Sequence, residues 1–127
     1  MKIKRLTPVL LADRVEPTAD FFKRVGFTAS LEIREGEGLG FAMLERDGVQ
    51  LMVETRDNPR ESASLRAVTR QSRSALVFIE VDEIDAVIDA LDGAPVLVER
   101  HSTFYGADEI TYTEPGGNLV TFAQFTR

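Results

Sequence analysis

Reactive side chains are few in this sequence. It has one histidine, His101, and no cysteine. Thiolate nucleophiles, thiolate metal sites and disulfides are therefore excluded. An imidazole titrates near neutrality and can act as a general base or a ligand. His101, however, lies in the stretch VERHSTFYG, with no Cys to activate and no carboxylate placed in sequence to orient it, so it reads as a loop histidine. Glu80 alternates with Leu76 and Phe78 and so shares their strand face. It is the ionisable strand residue to watch, although a solvated strand end describes it better. Arg66 and Arg70 are four apart and fall on one side of any helix there. They could clamp an anion, but such a charge run is more often a solvated face. Aromatic and thioether side chains are more plentiful. By strand alternation Phe41, Met43, Gln50 and Met52 share a face, and Ile110, Tyr112, Leu119 and Thr121 share another, with Phe104 and Tyr105 in the loop before them. A mostly apolar pocket with a few polar groups suits a small organic molecule. The same residues could equally be plain core.

The elements that must position these groups occur twice. Residues 3–54 and 75–125 each open with an apolar strand, KIKRLTPVLLA and SALVFIEV. Each strand runs into an acidic helix start, DRVEPTADFFKRVGF and DEIDAVIDALDGA. Val15, Ala19 and Phe22 form one helix face, and Ile84, Val87, Ile88 and Leu91 form the other's. Gly26 and Gly93 supply the stops, and Pro17 is tolerable only within a first turn. Each half closes with a hairpin, around Asp47-Gly48 and around Pro115-Gly116-Gly117. Superposing Gly48 on Gly117 also superposes Glu45 on Glu114. The expected unit is β-α-β-β-β, made twice in one α+β domain over 1–127. Such a unit leaves one sheet face bare, which calls for a partner layer. Residues 55–74 join the halves as a polar loop, with a short helix expected near Glu61–Arg70.

Charge narrows the partners. The formal net charge is −6 over 127 residues. The 55–74 segment contains Arg56, Arg60, Arg66, Arg70 and Arg73 against Asp57 and Glu61, so the rest of the chain is more acidic than the total. That balance argues against non-specific nucleic-acid binding and would suit a cationic ligand. No long apolar run follows the basic first residues, which argues against a secretory signal and a membrane span. A cytoplasmic protein is expected.

Three segments together resemble the vicinal-oxygen-chelate superfamily, the glyoxalase, bleomycin-resistance and dioxygenase group. TPVLLADRVEPTADFFKRVGF is similar to its first βα unit, FIEVDEIDAVIDAL to the start of its second module, and FYGADEITYTEPGGNLVTFAQF to its closing segment. The closing turn reads Glu114-Pro-Gly-Gly-Asn118, where the family usually has an aspartate first. The resemblance implies two βαβββ modules forming curved, mostly antiparallel sheets, and a homodimer. It also implies four metal-ligand positions, usually His and Glu, which here fall on Thr7, Met52, Leu76 and Thr121. Two hydroxyls, a thioether and a hydrocarbon are poor ligands for a divalent transition metal, so no cofactor is expected. The resemblance therefore points first to a metal-free small-molecule-binding protein of the antibiotic-sequestering kind. Its pocket would be lined by Phe41, Met43, Gln50, Met52, Phe104, Tyr105 and Tyr112. The alternatives are a metal-dependent lyase or dioxygenase, a metal-independent enzyme using Glu80, Tyr112 or His101, and an interaction subunit.

Overall fold

A computed structural model describes residues 1–126. The chain divides into two units, Met1–Ser72 and Arg73–Arg127. In the first, β1 (Val9–Ala12) leads into α1 (Val15–Arg24), followed by β2 (Thr28–Glu35), β3 (Gly38–Arg46), β4 (Val49–Thr55) and α2 (Ala63–Thr69). The second runs β5 (Leu76–Glu80), α3 (Ile84–Ala90), β6 (Val96–Ser102), β7 (Ala107–Thr113) and β8 (Leu119–Phe125). The sheets have the orders β1-β4-β3-β2 and β5-β8-β7-β6. In each, the first strand lies parallel to the last and the other pairs are antiparallel. The β-α-β-β-β unit is thus present twice. No helix among the described residues is long and apolar enough to cross a membrane.

Each helix buries the face that its periodicity marks. Val15, Ala19 and Phe22 are buried on α1, as are Ile84, Val87 and Leu91 at α3. Phe22 is fully buried and meets Phe21 and Phe27 edge-on, with centroids 5.2 and 5.6 Å away. Burying one such ring contributes about 1.5–3 kcal/mol. Pro17 stands in the first turn of α1, and both helices stop just before their glycines. Opposite α1 lie Leu10, Ala12, Ala42, Leu44, Leu51 and Val53, all buried. The alternate residues, Leu11, Phe41, Met43, Gln50, Met52 and Glu54, are half-buried on the face turned away from α1.

The second unit corrects the expected faces. Ile110 and Tyr112 pair with Phe122 and Val120, while Thr111 pairs with Thr121 and Thr113 with Leu119. Directly paired residues share a face, so Ile110 and Tyr112 lie opposite to Leu119 and Thr121. The cause is one extra residue in a turn. Asp47 and Gly48 make a two-residue turn with φ of 51° and 79° between Arg46 and Val49, the left-handed pair that a tight hairpin needs. In β7–β8, Glu114 N–H bonds Asn118 C=O, leaving Pro115, Gly116 and Gly117 as a three-residue turn. Arg46, not Glu45, is therefore the counterpart of Glu114. A one-residue offset moves every side chain of β7 to the other face.

The 55–74 segment is a built structure rather than a plain loop. Its helix is α2, shorter than expected, and Ser62 caps it by accepting Leu65 N–H at 3.3 Å. Arg66 and Arg70 do lie on one side, but they clamp the chain's own Asp57, at 2.5 and 2.8 Å. Those two guanidinium groups, Arg70 first, hold the Asp57 carboxyl below its ordinary range. Arg56 pairs with Asp13 and Arg60 with Glu35, each at 2.9 Å. Four of the segment's arginines are thereby engaged within unit one, neither open to clamp an anion nor merely solvated.

Candidate functional site

The face of unit one away from α1 gathers the first group of candidates. Met43 pairs with Met52, and Met52 also pairs with Val9 on β1. Phe41 pairs with Glu54, and Gln50 with Glu45. Gln50 is held from both sides: its amide nitrogen donates to Glu45 at 3.2 Å and its oxygen accepts from Arg5 at 2.9 Å. One residue missed from sequence is Glu54. It sits in register between Leu11 and Phe41, so burial raises its carboxyl to about 7, helped by the hydrogen bond and the charge of Glu61. Alternation along QLMVE could have placed Glu54 beside Met52, but Glu61 reaches it from the far end of a loop.

On the face of unit two away from α3, the registers bring together Phe78, Glu80, Val98, His101, Glu109, Thr111, Thr121 and Ala123. Glu109 is 7% exposed. Its Oε2 accepts the Tyr105 hydroxyl, and that bond raises the Tyr105 pKa. Phe125 lies 6.0 Å from Tyr105 and 6.3 Å from Phe78, and Phe104 packs edge-on to Tyr105 at 5.0 Å. Phe104 is wholly exposed. His101 is on the edge strand β6, not in a loop, directly across from Glu109; its Nδ1 bonds Glu99 C=O at 2.9 Å. Tyr112 is in none of this. It is 1% exposed, edge-on to Phe122 at 6.0 Å, on the face that α3 covers. That side of the sheet is fixed by Gln124, whose Oε1 accepts Ile84 N–H at 2.9 Å. Glu109 was missed because only the three-residue turn puts it on the open face.

The four metal positions do not fit an ion. Thr121 Oγ1 already shares a 2.7 Å hydrogen bond with Thr111 Oγ1. Leu76 is a 64% exposed hydrocarbon, and Met52 packs in register between Val9 and Met43. Thr7 offers a lone hydroxyl. Divalent ions want carboxylate or imidazole donors in number, and among the described residues no group of three or more His, Cys, Asp or Glu converges.

A cavity of about 590 Å³ opens on the α1 side of unit one, lined by Asp13, Glu16, Glu35, Arg56 and Asp57 among others. It is a charged groove, unlike the mostly apolar walls of organic-ligand sites. Glu16 is committed there to Leu39 N–H at 2.8 Å, which lowers its pKa.

The closing turn has a structural role. Glu114 is 1% exposed and its Oε1 accepts both the backbone and side-chain N–H of Asn118, at 2.9 and 3.1 Å. Asn118 Oδ1 in turn accepts Ala75 N–H at 2.9 Å, tying the turn to the entrance of β5.

Residues 2–122 match the Glyoxalase/Bleomycin resistance protein/Dioxygenase superfamily, and the chain belongs to that family. Among solved structures it is similar to TioX from Micromonospora sp. ML1, with 17% identity, 98% of this chain and 100% of the other covered, and a TM-score of 0.77. It is similar also to lactoylglutathione lyase from Agrobacterium tumefaciens, with 16% identity, 98% and 95% coverage, and a TM-score of 0.73. A glyoxalase-related enzyme from Clostridium phytofermentans has 13% identity, 99% and 98% coverage, and a TM-score of 0.72. Identities this low carry the fold alone. A search of curated proteins returned no significant match.

Proposed function

We propose that each unit offers a small organic molecule the sheet face turned away from its own helix, α1 or α3, without a metal of its own, in the manner of a sequestering resistance protein. The carrying observation is the make-up of those faces. Phe41, Met43 and Met52 on one, and Phe104 and Tyr105 on the other, present apolar surface beside a few polar groups. Thr7, Met52, Leu76 and Thr121 meanwhile lack the donors of a metal enzyme. Gln50 stays in the proposed lining as a polar contact; Tyr112, being core, does not. The test is a melting-shift screen against cationic aromatic and peptide antibiotics, with each hit assayed for chemical change. Hits recovered unaltered support the reading; a screen without hits counts against it.

A second reading has one observation in its favour. Glu54 titrates near 7 and shares a hydrogen bond with Glu61, which poises it for proton transfer at neutral pH without metal. A converted hit would move the function to such an enzyme. We also propose a homodimer, supported by the exposed apolar residues Val96, Leu97 and Val98 on edge strand β6, and a cytoplasmic location, in keeping with a sequence that has no cysteine.

A further inference from the structure

We infer that the face of unit two away from α3 holds an organic cation, a protonated or quaternary amine, between the Glu109 carboxylate and the rings of Phe78, Phe104, Tyr105 and Phe125. The inference rests on the small-molecule reading above and gives it a ligand class and a subsite. A carboxylate as buried as Glu109, at 7% exposure, is costly unless it is paired and hydrogen-bonded. Tyr105 supplies a hydrogen bond but no positive charge. Among the described residues, none forms an ion pair with Glu109. The nearby guanidinium of Arg100 is spent on Asp108 and Asp85, and His101, across the strand, turns its Nδ1 to Glu99 C=O. Among the described residues no ion pair thus compensates Glu109, and a ligand can bring that positive charge.

The rings say which cation. Phe78, Phe125, Tyr105 and Phe104 form a chain with centroids 5.0–6.3 Å apart. Phe78 is 50%, Tyr105 46% and Phe104 100% exposed. Accessible aromatic faces beside a desolvated carboxylate attract an alkylammonium through both ring quadrupole and charge. A hard metal ion would find too few donors, since no cluster of three acids or histidines exists among the described residues. An anion would be repelled, and a neutral apolar ligand would leave the carboxylate uncompensated.

The full chain should be titrated with benzyltrimethylammonium and with its neutral isostere neopentylbenzene, following backbone amide shifts. The expected result is perturbation of amides around 78, 104–109 and 123–125, with the cation binding at least tenfold tighter than the isostere. Glu109→Gln and Phe125→Leu should each weaken the cation about tenfold. His101→Arg, at an exposed edge position, should do the same by placing a rival cation opposite Glu109, which keeps the test sound if Glu109→Gln fails to fold. Equal binding of the two probes, or wild-type affinity in His101→Arg, overturns the cation assignment. Binding of the neutral probe alone on this face overturns the cation and leaves the small-molecule reading standing. If neither probe moves an amide on either sheet face, both fall.

Discussion

Glu54 and Glu61 meet carboxyl to carboxyl, one from the centre of a sheet and one from the segment that follows it. Two such groups in contact cannot both ionise cheaply, and the Glu54 carboxyl is raised from 4.5 to about 7 by burial first and by Glu61 second. The folded state thus holds a proton that the unfolded chain releases. The associated stability is fully present below pH 4.5 and is lost as pH rises to about 7.

Glu54→Gln should therefore flatten the fall in unfolding free energy between pH 5 and 8, and should stabilise the protein at pH 8. The gain is about 1–2 kcal/mol, less than a full conversion of the shift because the carboxyl keeps some solvent. Urea titrations of both proteins across that range measure it; parallel pH curves would contradict the pairing.

Tyr112→Ala should strongly destabilise the fold rather than simply empty a pocket. The ring is 1% exposed against Phe122, and deleting a core aromatic costs about 3–5 kcal/mol. A fall in melting temperature of many degrees is expected. A variant with near wild-type stability would return Tyr112 to the ligand face.

Asn118→Ala should cost about 2–3 kcal/mol, since Glu114 Oε1 loses a donor and Ala75 N–H an acceptor. Chemical denaturation reads this directly. Hydrogen exchange should quicken at Ala75 before it does in α1.

Mn²⁺, Ni²⁺ or Zn²⁺ added to untagged protein should shift the melting temperature by less than about 1 °C, and elemental analysis should find no stoichiometric transition metal. One tightly held ion per chain would show that Thr7, Met52, Leu76 and Thr121 are the wrong positions.

Sedimentation equilibrium at micromolar concentration should report twice the 14.1 kDa chain mass. Replacing Leu97, 57% exposed on β6, with Lys should lower that mass if the edge strand contributes to the dimer. A wild-type sample at one chain mass would count against it.

What the sequence decided by itself is what local periodicity carries. The faces of α1 and α3, the glycine stops, the Asp47-Gly48 hairpin and the doubling of β-α-β-β-β follow from residues near one another in the chain, where apolar spacing and backbone freedom act alone. So does the poverty of metal donors, which is a matter of residue type. The tertiary structure decided whatever depends on register and on distant partners. One extra residue in the Glu114–Asn118 turn sends Tyr112 into the core and brings Glu109 to the open face, because a strand's side chains alternate with a period of two. Glu54 is set near neutrality by burial first and by Glu61 second, and the arginines of 55–74 are spent on Asp13, Glu35 and Asp57. Electrostatic partners are chosen by distance in space, which chain order does not encode.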